Sequence, residues 1–531
     1  MKRPVRAAAL AAAFALMSGT VQAQTQTLTM AVGAPVTSLD PHYHNLAPNN
    51  AMADTIFDAL THRDAQARLI PGLAESWRTV SDDTWEFRLR SGVRFHNGSE
   101  FTAEDVAFTL QRVPDVPNSP SSFATYVRAV KGVEIVDPLT IRLSTDGPYP
   151  LLASDLASVR ILDKQTHEGM TTEDFNSGKA AIGTGPYRFV SFQPGSRIEL
   201  ARNDAYWGGK PAWQRVTERI IDNDASRTAA LLAGDVEFID QVPTTDVARL
   251  RRDPRVQISE VQGLRIIYLH LDHMRIGSSP GITGNDGRPL DRNPLKDLRG
   301  RRALSLAIDR EAIVERVMEG TAVPSGQFLP PGTYSHIPGR EPPRADPDAA
   351  KRLLTEAGYP DGFRIVLAGP NNRYINDARI VQAIAQMWTR VGVQTEVQAQ
   401  PWSAFVSRAG KQEFSAFLVG WGSSSGEASS PLRALVATYD RSKGWGASNR
   451  GRYSNPEVDR LLSQALQTLD DEKREQVLIE AQRVALDDVG VIPLHFQKNV
   501  WAMRPGLAHT PRADELTRPE DVRPAQASAS R

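Results

Sequence analysis

A chain of 531 residues without a single cysteine is confined to folds that hold themselves together by their own core. Disulfide scaffolds, thiolate-ligated zinc, iron–sulfur clusters and thiol nucleophiles are all excluded. A chain this long can bury a large core without such staples. At about 150 residues per domain, the length predicts three domains or so. Hydrophobic residues make up 40% and charged residues 23%, the balance of an ordinary globular protein.

The first 23 residues read as an export leader. Lys2, Arg3 and Arg6 form a basic start, Ala7 to Met17 is apolar, and Val21-Gln22-Ala23 offers small residues at a cleavage site before Gln24. The apolar run is far short of the ~20 residues that cross a bilayer. Bacterial lipoproteins are anchored through a cysteine after the leader, so release without a lipid anchor is expected. The predicted location is the periplasm. Lys plus Arg and Asp plus Glu both total 62. Loss of the three leader cations leaves a slight acidic excess, which argues against nucleic acid as a partner.

Along the chain, short strands and capped helices alternate, predicting an α/β arrangement. Trp85, Phe87 and Leu89 alternate with Glu86 and Arg88, the period of a half-buried strand. Thr102 caps a helix beginning at Ala103. Asp346-Pro347 and Asn455-Pro456 each place a capping side chain before a helix-starting proline. Asp309 opens a further helix with Ile313, Val314, Val317 and Met318 inward. Gly277 to Pro294 and Pro324 to Pro347, rich in Pro and Gly, read as surface connections.

Several residue groups could carry chemistry. Gly422-Ser423-Ser424-Ser425-Gly426 matches G-x-S-x-G after a strand over Phe417 to Trp421. In a secreted serine hydrolase Ser424 would be the nucleophile, with Asp440 or Asp459 and His495 or His509 completing a triad. A polar loop at a strand end, the commoner outcome, is also where α/β proteins place ligand contacts. His42 and His44 would share one face of a strand and could form a metal pair; His270 and His273 are spaced i, i+3. Trp402 and Trp421 flank a predicted helix and a strand near the serine-rich loop and could wall a ligand site, whereas Trp388 falls on a helical core face. Arg373, on a loop between strand and helix, could clamp a carboxylate.

Six segments in order resemble one family. They are LIPGLAESWRTVSDDTWEFRLRSGVRFHNGSEFTAEDVAFTLQR (Leu69 to Arg112), IGTGPYRFVSF (Ile182 to Phe192), ELARNDAYWGGKP (Glu199 to Pro211), LRGRRALSLAIDREAIVERVMEG (Leu298 to Gly320), DPDAAKRLLTEAGYPDGF (Asp346 to Phe363) and VIPLHF (Val491 to Phe496). Together they resemble the extracytoplasmic solute-binding proteins of the dipeptide/oligopeptide/nickel class, solute-binding family 5, which serve ABC importers. The resemblance implies a two-lobed periplasmic binding protein fold, type II, in its three-domain peptide-binding variant with hinge closure. Domain I would be discontinuous over 24–61, 182–270 and 499–531. Domain II would cover 62–181 and domain III 271–498.

It also implies a ligand cleft fed by Tyr43, His44 and Asn45, by the stretch Asn371 to Asn376 with Arg373, by Trp402, and by the loop from Trp421. Peptide binders of this class commonly carry an aspartate three residues after that tryptophan, for the peptide's ammonium. Ser424 stands there, and Glu427 is the nearest acidic replacement. The loop Gly420 to Ala428 resembles that of glutathione-binding members more closely. The expectation is therefore a non-enzymatic, monomeric binding protein without a cofactor, handing a dipeptide, oligopeptide or glutathione-like solute to importer permeases. Trp421 and Trp402 would wall the ligand, Ser423, Ser424 and Ser425 would hydrogen-bond it, Glu427 would meet an ammonium and Arg373 a carboxylate. The alternatives are a nickel-chelate carrier using His42 or His44, the serine hydrolase, and a binding protein that feeds a signalling receptor.

Overall fold

A computed structural model describes residues 26–423 and 425–525. The leader assigned to 1–23 and the serine at 424 lie outside the described residues. No helix among the described residues is long and apolar enough to cross a membrane.

Two long strands organise the molecule. Gln257–Leu271 and Ile492–Met503 run antiparallel through the centre of a twelve-stranded mixed sheet. On one side the sheet continues through Phe238–Ile239, Thr27–Val32, Arg215–Ile220, Arg197–Arg202 and Tyr187–Gln193. On the other it continues through Ala416–Gly422, Phe363–Pro370 and Ile282–Thr283, with Val393–Gln400 beside Phe363–Pro370. Gln257 to Gln262 pair with Met503 to Lys498, the register then slips, and pairing resumes at Ile266 with Phe496. Such a slip bends a strand and sharpens its twist. Gly263 sits in the slip, where a Cβ would stand 2.9 Å from the Gln497 carbonyl oxygen.

Beyond the slip both faces of Gln257–Leu271 are buried. Ile267, Leu269 and Leu271 join a core with Ile380, Ile384 and Trp388, whereas Ile266 and Tyr268 join another with Phe405, Phe417 and Leu462. Trp388 is fully buried and its indole N–H donates to the Leu304 carbonyl at 3.0 Å. A separate antiparallel sheet of Ala74–Ser81, Thr84–Leu89, Thr140–Thr145 and Val130–Asp137 carries its own core around Phe87, Phe95, Ile141 and Leu143.

The helix starts follow their capping chemistry. Asp105 accepts the Thr102 N–H ahead of helix Ala103–Arg112. Asp346 accepts from Ala349, ahead of helix Pro347–Glu356, and Asn455 accepts from Glu457, ahead of helix Pro456–Ala465. Two expectations need correction. The helix opened by Asp309 makes one α-turn, Arg310–Ala312, and passes into a π-helical stretch, Ile313–Val317. The widening still leaves Ile313, Val314 and Met318 buried. Pro324 to Pro347 is only partly a surface connection, because Gln327, Phe328, Leu329, Ser335 and Ile337 are buried against the second lobe.

Candidate functional site

Two cavities meet beside the register slip. The larger, about 530 Å³, lies between Asp240–Thr245 of the first lobe and Arg373–Asn376 of the second, with Gln497 to Trp501 of the long strand as its floor. That volume falls in the usual range for small-molecule pockets. The smaller, about 230 Å³, is lined by Asn45, Asn50, Arg63, Tyr126, Gly422 and Arg512 among others. Both touch Ala47, Arg265 and Glu515.

Arg373 lines the larger cavity. Its guanidinium stands 5.4 Å from the Tyr374 ring centre and 5.6 Å from that of Trp402, and these two rings meet edge to face. Asp377 fixes the loop by accepting the backbone N–H groups of Arg373 and Tyr374. Among the described residues no carboxylate lies within 4 Å of the Arg373 guanidinium. Trp402 packs on Phe405 and donates its backbone N–H to Asn372. Trp421 is half-buried, in register with Ile266, and donates its indole N–H to Ser430 at 3.2 Å.

The histidine segment is a turn, so alternation on a strand does not apply there. His42 is fully buried; Arg112 donates to its Nδ1 and its Nε2 meets the Arg160 carbonyl. Burial and the neighbouring Arg112 cation hold it down at about 3. His44 turns the other way, to Thr37 at 2.9 Å. Tyr43 contributes its backbone, accepting from Ser119. Of the three, Asn45 lines the smaller cavity, held by Tyr126 and Asn50. His270 and His273 are core histidines bonded to the carbonyls of Ser448 and Gly490. No group of three or more metal-ligating side chains is assembled among the described residues.

In the serine-rich loop, Ser423 is fully buried and its hydroxyl meets no partner among the described residues. The Ser425 hydroxyl is likewise unpartnered, while its carbonyl accepts from Arg63 across the cleft at 2.9 Å. Glu427 is buried, with Oε2 on Arg474 at 2.5 Å and Oε1 on the Ser429 hydroxyl. Its charge is therefore already matched within its own lobe. The residues weighed for a triad are scattered. Asp440 closes a surface turn with Ser442, and Asp459 accepts the Thr438 N–H. His495 is buried without a hydrogen-bond partner among the described residues, and burial pushes it down to about 3. His509 is wedged beside Phe238 and Trp501 and bonded to Ser259.

Residues that local patterns did not single out supply much of the lining. Arg265, Lys498 and Asn499 come from the long strands, Gln241 and Thr244 from the first lobe, and Arg512 and Glu515 from the C-terminal segment. The only local signal was the dense alternation of charge over Arg512 to Asp521.

The family model for bacterial extracellular solute-binding proteins, family 5 Middle, matches residues 68–443. Heme-binding protein A of Haemophilus influenzae is 30% identical over 475 residues, covering 84% of this chain and 82% of its own. Glutathione-binding protein GsiB of Escherichia coli K12 is 28% identical over 506 residues, covering 93% of each chain. Among solved structures, HbpA2 from Haemophilus parasuis superposes with a TM-score of 0.81 at 24% identity, over 94% of this chain and all of its own. The murein tripeptide binding protein MppA, in its unliganded open form, gives a TM-score of 0.79 at 23% identity, over 97% of this chain and 100% of its own. These likenesses bear out the two-lobed type II fold and leave no place for the hydrolase reading. The chain belongs to the bacterial extracellular solute-binding proteins of family 5, and it is a binding protein rather than an enzyme.

Proposed function

We propose that this chain is the periplasmic substrate-binding protein of an ABC importer, acting as a monomer after leader cleavage, and that it captures a short peptide or a glutathione-like one. The observation that carries the reading is Arg373, a cation held against two aromatic rings in the larger cavity without a carboxylate of its own. A peptide's terminal carboxylate supplies the missing charge, with two parallel hydrogen bonds to the guanidinium fork. Tyr374 and Ile375 supply the apolar surface at that end, with Trp402 packed edge to face on Tyr374. Glu515, which touches both cavities, is already paired with Arg265 and forms with it their common wall. Gly422, which stands between Trp421 and Ser423 in the chain, borders the opposite end.

The domains proposed are 24–61 with 182–270 and 499–531, then 62–181, then 271–498. Supporting this division, the four-stranded sheet lies inside the second range, the strand Gln257–Leu271 ends where the first range does, and Ile492–Met503 runs from the third range into the first. Ligand contacts from both lobes favour closure, a population shift toward the form that permeases engage. Calorimetry of the purified chain with dipeptides, tripeptides and glutathione tests the reading. Heat from at least one of them, lost when the C-terminus is amidated, is expected. Silence with all of them overturns it.

A further inference from the structure

The smaller chamber is lined by five arginines, and they are not equivalent. Arg160 has Asp54 at 2.6 Å, Arg265 has Glu515 at 2.9 Å, Arg512 has Asp514 at 2.5 Å, and Arg518 has Asp521 at 3.0 Å. Arg63 has no carboxylate within 4 Å among the described residues. Its guanidinium donates only to neutral acceptors: the carbonyls of Ala67, Ser425 and Ser154 and the Ser154 hydroxyl. The nearby acids are engaged elsewhere. Glu427 is held by Arg474, and Asp155 accepts from the Tyr149 hydroxyl at 2.6 Å. A partly buried cation served by dipoles alone has an incomplete electrostatic environment, and an anion is what completes it.

Resting on the peptide reading above, we infer that the smaller chamber is a second anion-accepting subsite, in which Arg63 receives a side-chain or second terminal carboxylate of the captured solute. The chamber's 230 Å³ suits a group the size of an acidic side chain, and its shared wall at Ala47, Arg265 and Glu515 lets one ligand occupy both cavities. The solute class is therefore a short peptide with two carboxylates, one at Arg373 and one at Arg63. Neutral donors at the chamber wall, Asn50 and Ser158, are compatible with the same group.

The test is calorimetry with two matched pairs, Ala-Ala-Glu against Ala-Ala-Gln and Glu-Ala-Ala against Gln-Ala-Ala. In at least one pair the acidic member is expected to bind about tenfold or more tightly, the worth of one charge-assisted bond. Arg63→Gln should abolish that preference, and Arg63→Lys should keep part of it; the readout is the ratio within each variant, which does not depend on its overall stability. Equal binding within both pairs, or a preference that survives in Arg63→Gln, overturns the subsite while leaving peptide capture intact. No heat from any of the four removes the peptide reading itself.

Discussion

Arg265 and Glu515, 250 residues apart, meet as a two-pronged ion pair, Nε to Oε1 at 2.9 Å and Nη2 to Oε2 at 3.0 Å. Arg265 sits within the register slip, and Glu515, with φ of +71°, belongs to the segment that follows the second long strand. The pair thus ties the C-terminal segment to the slip and forms the wall common to both cavities.

Removing one partner leaves the other charge partly buried and alone. Glu515→Gln is expected to cost about 1–3 kcal/mol, less than a fully buried pair because both side chains retain some solvent. The thermal midpoint should fall. An unchanged midpoint would show that the pair does not stabilise the fold.

Arg373 is expected to discriminate carboxylate from amide. Wild type should bind a free-acid peptide about tenfold or more tightly than its C-terminal amide, and Arg373→Ala should bring the two together. Arg373→Lys should retain only part of the difference, since an ammonium keeps the charge but loses the planar fork. Loss of affinity for acid and amide alike would instead mark Arg373 as a packing residue on Trp402.

Local signals and long-range pairings were unequally legible. Helix starts at Thr102, Asp346 and Asn455, and the core position of Trp388, follow from chemistry within a few residues, and the fold bears them out. The partner of Glu427 lies 47 residues away on helix Asp471–Asp487, and no spacing rule links the two. His42 and His44 were read as neighbours on a strand, but the Asp40 carboxylate caps a turn there and sends them apart. The cavity lining escaped for the same reason as the Glu427 pair. Arg265, Asn499 and Glu515 become neighbours only when distant strands are brought into register. A formal net charge of zero also concealed the cluster of arginines around the smaller chamber.

Asp155 makes part of the protein's stability depend on pH with a definite sign. Its ordinary value is 3.8, and burial raises it to about 6 beside Tyr149. The folded form therefore holds this proton more tightly than the unfolded form. Its contribution is most favourable below pH 3.8 and is lost as pH rises through about 6, by up to about 3 kcal/mol. Asp155→Asn removes that loss. The variant's thermal midpoint should gain on wild type between pH 4 and pH 8, and the difference between the two isolates Asp155 from the buried histidines, whose depressed values act in the opposite sense. Parallel midpoint curves would show that Asp155 does not titrate in this window.

The lobes also touch at the rim of the larger cavity, where the Asn376 amide donates to the Thr244 hydroxyl at 3.1 Å. Asn376 holds a left-handed conformation, φ of +56°, and its amide also donates to the Val317 carbonyl at 2.9 Å, so it is aimed at Thr244 from a fixed position in the second lobe. One such bond contributes about 0.5–1.5 kcal/mol. A bond made only when the lobes approach biases the free protein toward the binding-competent form, and apparent affinity scales with that population. Thr244→Val keeps the shape and removes the acceptor. The expected result is apparent affinity weaker by about two- to tenfold, with the association step absorbing part of the change. The radius of gyration of the ligand-free protein, measured by small-angle scattering, should rise, while that of the saturated complex stays the same. A free form of unaltered size would mean that the contact does not bias closure, and a complex that is also expanded would mean that the substitution distorted the cleft.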